Sequence, residues 1–319
     1  MTTADLAFAL LRVNIAASAA IALVLALRGP ARRWFGPHLG YGLWLLVLIA
    51  AAGARAPGPA DGPASAISGA GKHWLSAGAH SSVLSALWAA GAILTAILAA
   101  WRQLRFAAAE RAGRAGPAVV GIIQPRLVAP RDFAERYSAE ERRLIRAHEL
   151  AHVARGDARW NAAATLATWT CWFNPLAHVA LGVMRLDQEM ACDATVLDER
   201  PASRRAYAET LLRTSPAGGG APLVSCLLAS AHPLEMRLLT LLQDRAPQGR
   251  RDAGLAALAG LCLAAFVAAW AFQPPYPTPA EETVILIQLS PPAPTLAAWV
   301  EKNLPPAPRG AYQLAARRR

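Results

Sequence analysis

The sequence predicts a mainly α membrane protein, with about four transmembrane helices, a cytoplasm-facing α+β domain and a small β-hairpin. Three observations carry that prediction. Hydrophobic residues make up 55% of the 319-residue chain, and several runs approach the roughly 20 apolar residues a helix needs to cross a bilayer. Arginines cluster beside some of those runs and avoid others, which fixes an orientation. Between the third and last runs, His148 and His152 stand four apart, with Glu189 37 positions beyond. Such spacing suits a metal site assembled from two helices.

Four runs are candidate spans, at about 6–27, 37–54, 83–101 and 253–272. The last two carry no charge. The first contains Arg12 and Asn14 near its start, and Arg12 can snorkel to the nearer interface. A cleaved signal peptide is not expected, because Asp5 and no basic residue precede the first run. Arg28, Arg32 and Arg33 follow the first span, Arg102, Arg105, Arg111 and Arg114 follow the third, and Arg245, Arg250 and Arg251 precede the last. The 55–82 loop has only Arg55 and Lys72. The positive-inside rule therefore puts the N-terminus outside and 102–252 in the cytoplasm. The layout is three spans within 1–101, a domain at 102–252, a last span at 253–272 and a proline-rich extracytoplasmic tail at 273–319. On this reading the net charge of +11 reports topology and attraction to anionic lipid, not nucleic-acid binding.

Within 116–130, two short β-branched runs flank Gln124-Pro125 and predict a hairpin or edge strand. Such a strand can hold an extended peptide by β-augmentation; an apolar linker is the plainer alternative. Ser138, an N-cap type, then opens a helix with Glu140 and Glu141 in its first turn. Leu144, Ala147, Leu150 and Ala151 supply its expected buried stripe. On that helix His148 and His152 share a face, and Glu149 projects where it can reach a metal-bound water.

The run 160–184 contains no Asp, Glu, Lys or Arg. A single crossing would leave Glu189 on the opposite membrane face from the histidines. Asn174-Pro175 breaks the helix, so the segment is expected to be re-entrant or to lie along the membrane surface, with a fifth span as the alternative. A catalytic metal usually takes three protein ligands. Candidates for the third are Glu189, Asp193, His178, Cys171, Cys192 and His232, and Glu189 is preferred. Asp193, four residues on, and Asp157 are candidates to accept the spare imidazole N–H of a ligand; capping and packing roles are the alternatives. The ligand types point to Zn2+, one per chain.

Residues 201–244 read as helical, with an amphipathic piece at 204–212 and a loop at 216–220. The tail has one possible strand, at 283–289. Cys171, Cys192, Cys226 and Cys262 show no paired spacing, so no disulfide framework is expected.

Together Pro117, Gly121, Pro125 and Pro130, then His148-Glu149-Leu150-Ala151-His152 with Gly156-Asp157, resemble the BlaR/MecR-type membrane metallopeptidases. So do Trp172-Phe173-Asn174-Pro175-Leu176 and Asp187-Gln188-Glu189-Met190-Ala191-Cys192-Asp193. The resemblance covers about 1–272 and is most specific at 117–198. It implies an integral-membrane, zincin-like zinc endopeptidase with a cytoplasm-facing site, in which His148, His152 and Glu189 hold the ion and Glu149 is the general base. Known members sense β-lactams through a penicillin-binding domain and trigger proteolysis that relieves a repressor. The 273–319 tail has no Ser-x-x-Lys acylation motif, so a different input is expected.

Expected partners are a protein substrate such as a cytoplasmic transcriptional repressor of the small winged-helix kind, the lipid bilayer and, as an option, a second copy in a homodimer. Tyr207, His178 and His232 have the chemistry to stabilise an oxyanion. The competing readings are a non-catalytic, metal-stabilised signal transducer or scaffold, and a transporter. A transporter would place paired polar groups at mid-membrane, and apart from Asn14 the spans offer none.

Overall fold

A computed structural model describes residues 3–56, 79–214 and 233–272. The expected loop at 216–220, Cys226, His232 and the tail with its strand at 283–289 lie outside them. Helix α1 (Thr3–Phe35) runs past the expected end of the first apolar run. Arg28 does not stop it, because the guanidinium is neutralised inside the protein: its Nε and Nη2 each donate to Asp187 at 2.8 Å.

The expected span at 37–54 is divided in the structure. Two short helices, α2 (Pro37–Gly42) and α3 (Leu45–Gly53), occupy it. Three described helices are long and apolar enough to cross a membrane, Ala9–Phe35, Val83–Arg111 and Gln248–Ala271, whereas Pro37–Gly53 is apolar but shorter. At about 1.5 Å per residue it rises roughly 25 Å, at the lower end of the lengths that cross a bilayer. Gly36, at φ 100, turns the chain into α2 in a region L side chains rarely adopt. The break between α2 and α3 frees Trp44 to donate its indole N–H to Asp187 at 2.9 Å.

Helix α4 (Ala79–Arg111) precedes a two-stranded antiparallel sheet of β1 (Ala118–Val120) and β2 (Arg126–Val128), with Val119 opposite Leu127. The hairpin turns at Gly121, φ 105, where a Cβ would lie 2.4 Å from the Gln124 carbonyl oxygen. A short helix, α5 (Phe133–Arg136), leads to α6 (Ala139–Arg155), which carries the two histidines. A capping box starts α6: Ser138 Oγ accepts from Glu141 N at 3.2 Å, and Glu141 Oε2 accepts from Ser138 N at 2.7 Å. Gly156, φ 68, ends it. The buried face of α6 is Leu144, Ile145, His148, Glu149 and Ala151, while Leu150 is 63% exposed. The expected stripe was thus rotated, because the side of the helix holding the histidines is itself the interior side.

The uncharged run 160–184 is two helices, α7 (Asp157–Thr170) and α8 (Pro175–Glu199). Asn174 caps α8, its Oδ1 accepting from Leu176 N at 2.9 Å. The same side chain donates to Ser18 Oγ at 2.8 Å and to Asn14 Oδ1 at 3.2 Å on α1. Trp88 on α4 donates to the Thr170 carbonyl at 2.9 Å, and Trp172 donates to the Trp88 carbonyl at 3.0 Å. The α7–α8 turn therefore reaches the level of Trp88 on α4 and of Asn14 to Ser18 on α1, and α8 then returns to pack on α6 and α7.

Beyond α8 a 3-10 turn (Pro201–Ser203) leads to α9 (Arg204–Thr214); α10 (Pro233–Leu241) and α11 (Gln248–Ala271) complete the described elements. One core cluster joins α1, the α2–α3 pair and α8 through Val24, Leu43, Leu46 and Val183. A second, Leu144, Val196, Tyr207, Leu211 and Leu241, packs α6, α8, α9 and α10 together. These two clusters fix α6 and α8 relative to each other, which sets the geometry of the site.

Candidate metal centre

One turn of α6 and one residue of α8 bring two ring nitrogens and the two oxygens of one carboxylate into a compact triangle of side chains. His148 Nε2 lies 3.2 Å from His152 Nε2 and 3.2 Å from Glu189 Oε2, and His152 Nε2 lies 3.5 Å from Glu189 Oε1. A tetrahedral ion with bonds of about 2.0–2.2 Å to nitrogen and oxygen requires its ligand atoms to stand roughly 3.3–3.5 Å apart. The three separations lie close to that spacing. Both histidines are largely buried, while the Glu189 side chain is 34% exposed, so the group opens on one side.

Each imidazole is oriented from behind. Asp157 Oδ2 sits 2.7 Å from His152 Nδ1. Arg155 holds that carboxylate with Nη2 2.6 Å from Oδ2, and also donates to the Gln188 carbonyl at 2.9 Å. Behind His148, Nδ1 is 2.9 Å from the Tyr207 hydroxyl and 3.3 Å from Asp193 Oδ1. Tyr207 donates to that same Asp193 oxygen at 2.7 Å. Arg237, on α10, clamps Asp193 with Nε–Oδ2 2.8 Å and Nη2–Oδ1 2.7 Å. Its Nη1 reaches Glu189 Oε2 at 3.0 Å. One guanidinium thus binds both the carboxylate in the triangle and the one behind it.

A second donor grouping involves Cys192, whose Sγ lies 3.2 Å from His152 Nδ1. His148, His152 and Cys192 offer one ligand atom each within 4.8 Å of one another. That set fits an ion less well. His152 Nδ1 is committed to Asp157, and Cys192 lies on that side of the ring, away from the edge facing His148 and Glu189. Burial pushes the Cys192 thiol up, which disfavours the thiolate that metals bind.

The electrostatics follow from these contacts. Burial would raise the Glu189 carboxyl, but His148, His152 and Arg237 hold it well below the usual carboxylate range. Asp193 is also held low, with burial outweighed by Arg237 and His148. Burial favours neutral His148, yet Asp193 and Glu189 raise it overall. Glu149 behaves differently. Burial pushes its carboxyl up, against weaker effects from the two histidines and a hydrogen bond from the Val119 backbone. A carboxyl raised in this way holds a proton more readily than an ordinary carboxylate, as a general base and acid requires. Glu149 shares with His148, His152 and Glu189 a cleft of about 980 Å3, one wall of which is the 116–119 segment.

Of the other sequence candidates, His178 bonds the Trp172 carbonyl at 2.8 Å and is exposed, away from the triangle. Cys171 ends α7 and also stands apart. Tyr207 is 1% exposed and its hydroxyl is spent on Asp193 and His148, so it supports the imidazole and does not face substrate. Arg237 and Arg155 were missed from the sequence. Arg155 closes the motif helix two residues before Asp157, where an i, i+2 ion pair could have been suspected. A single arginine on α10, 44 residues from its carboxylate, gives no periodic or motif signal.

Sequence comparison points to a metallopeptidase class for this region. Residues 112–241 match the family model described as BlaR1 peptidase M56. The chain is 33% identical over 81 residues to the regulatory protein BlaR1 of Bacillus licheniformis, a match covering 25% of this chain. It spans only 13% of that relative's length. No solved structure matches.

Proposed function

We propose that this protein is an integral-membrane, zinc-dependent endopeptidase that hydrolyses peptide bonds at the cytoplasmic membrane face in a signalling pathway. Its substrate would be a cytoplasmic repressor or the protein itself. The observation that carries this reading is the His148–His152–Glu189 triangle with Glu149 beside it in one open cleft. The BlaR1-type match over 112–241 supports the same class.

His148, His152 and Glu189 would hold the ion. When bound there, zinc supplies a Lewis acid that acidifies water and polarises a peptide carbonyl. Glu149 takes a proton from the attacking water and returns it to the leaving amine. Asp157 and Asp193 keep the two ring Nδ1 atoms protonated, so that both Nε2 lone pairs point into the triangle. The β1 strand, beside Glu149, can pair with an extended substrate segment.

A re-entrant α7–α8 hairpin is supported by its turn, which contacts apolar stretches of two candidate spans, while the first residue of α7, Asp157, and the middle of α8 at Glu189 lie at the candidate metal site. With it goes an N-terminus outside, three spans within 1–101 that include the shorter apolar helices at 37–54, a cytoplasmic domain at 102–252, a last span at 253–272 and the tail outside. The test is co-expression of the chain with candidate repressors. Wild type should deplete the intact repressor or cut itself, and Glu149→Gln should keep bound zinc yet leave substrate whole. If Glu149→Gln still signals without any cleavage by wild type, the alternative of a metal-stabilised scaffold holds.

A further inference from the structure

A second cavity, of about 830 Å3, lies away from the metal centre, where α1 ends and α11 begins. Arg32, Arg33, Arg204, Arg245, Arg250 and Arg251 line it. Against these six arginines stand three aspartates in the lining, Asp198, Asp244 and Asp252, so the lining itself carries an excess of three positive charges. The pairing is uneven as well. Asp198 is shared by Arg245 at 3.1 Å and Arg251 at 3.3 Å, and Asp252 accepts from Gln248 at 3.0 Å. Among the described residues no ion pair engages Arg33, Arg204 or Arg250.

Arg32 supplies an independent sign. Its Nε and Nη1 are buried and make no hydrogen bond; Nη1 comes only to 3.5 Å from Asp187. Guanidinium donors withdrawn from water without an acceptor are costly. Arginines present only to orient the chain in the membrane would stay solvated. This one is not, and it lines a basic cavity.

The same cavity has an apolar wall containing Phe35, Leu45, Leu255 and Leu258, with Leu255 60% exposed. Phe35 ends one candidate span, and Leu255 and Leu258 lie in another. A ligand there would meet guanidinium forks at one end and span-borne leucines at the other. Guanidinium geometry matches phosphate oxygens, and the positive end of the α11 dipole adds to the attraction.

We propose that this cavity binds the phosphate headgroup of an anionic phospholipid, with an acyl chain along the Leu255–Leu258 face of α11. The site is separate from peptide hydrolysis, so its failure would leave the proposed activity untouched.

The test uses the full-length protein in detergent, offered mixed micelles of phosphatidylglycerol and phosphatidylcholine in equal parts, with the lipid retained after washing measured by mass spectrometry. Phosphatidylglycerol should be retained in preference to phosphatidylcholine. Arg33→Gln, Arg204→Gln and Arg250→Gln should each weaken it by about fivefold, while Arg250→Lys keeps most of the preference. Millimolar inorganic phosphate should not displace it, because phosphate lacks the acyl contact. Equal retention of the two lipids overturns the proposal. So does full displacement by inorganic phosphate, which would make this a free-phosphate site. Undiminished preference in the triple glutamine variant, melting at the wild-type temperature, also overturns it.

Discussion

Replacing Arg237 by methionine tests whether one buried guanidinium organises the metal centre from behind. The substitution keeps an extended apolar stem but removes both contacts to Asp193 and the 3.0 Å contact to Glu189. Asp193 has no exposed surface, so its carboxylate would be left with only Tyr207 and His148. Breaking a buried pair by deleting one partner costs about 3–5 kcal/mol. Here that is an upper range, because the stranded carboxyl can take up a proton. The metal-free protein should therefore melt on the order of 10 °C lower. Removing both charges leaves no stranded ion, so Arg237→Met combined with Asp193→Asn should recover most of the loss. The assay is thermal unfolding of the three variants in one detergent, stripped of metal by a chelator. Equal melting of Arg237→Met and wild type, or strictly additive losses in the double variant, would refute the reasoning.

Asp157→Asn removes the charge 2.7 Å from His152 Nδ1 and should weaken zinc binding by about 10–100-fold, measured by competition with a chromophoric chelator. Gly53→Ala would place a Cβ 2.7 Å from the Phe266 carbonyl oxygen; separating α3 from α11 should cost about 1–3 kcal/mol, read by denaturant unfolding. The Glu141 carboxyl is held below its ordinary range by the Ser138 backbone N–H, with Arg213 assisting. Because the folded value is the lower one, this stabilisation is complete above the ordinary carboxylate range and is lost as pH falls through the depressed value. Glu141→Gln should accordingly flatten the acid limb of the stability profile, and an unchanged limb would contradict the assignment.

The candidate site is legible in the sequence where a local periodicity carries it. Four-residue spacing put His148 and His152 on one face, and Asn174-Pro175 signalled the reversal that returns Glu189 to them. The supporting network was less legible, because it is made by tertiary neighbours. Arg237 approaches from α10, and Asp187 answers Arg28 and Trp44 across more than 140 residues. Hydropathy is blind to such detail for a related reason. It registers that 37–54 is apolar, but it does not see the turn at Gly36 or the break that aims Trp44 inward. The buried side of α6 was misplaced because Leu150 was assumed to seek the interior, where the catalytic-type polar groups instead lie.

The most direct measurement is X-ray absorption at the zinc edge of the protein loaded with one equivalent of metal. The account predicts two imidazole nitrogens and carboxylate oxygen at about 2.0–2.2 Å with no sulfur, and loss of this signature in Glu189→Ala. A sulfur scatterer near 2.3 Å, placing Cys192 in the coordination sphere, or an unaltered spectrum in Glu189→Ala, would contradict it.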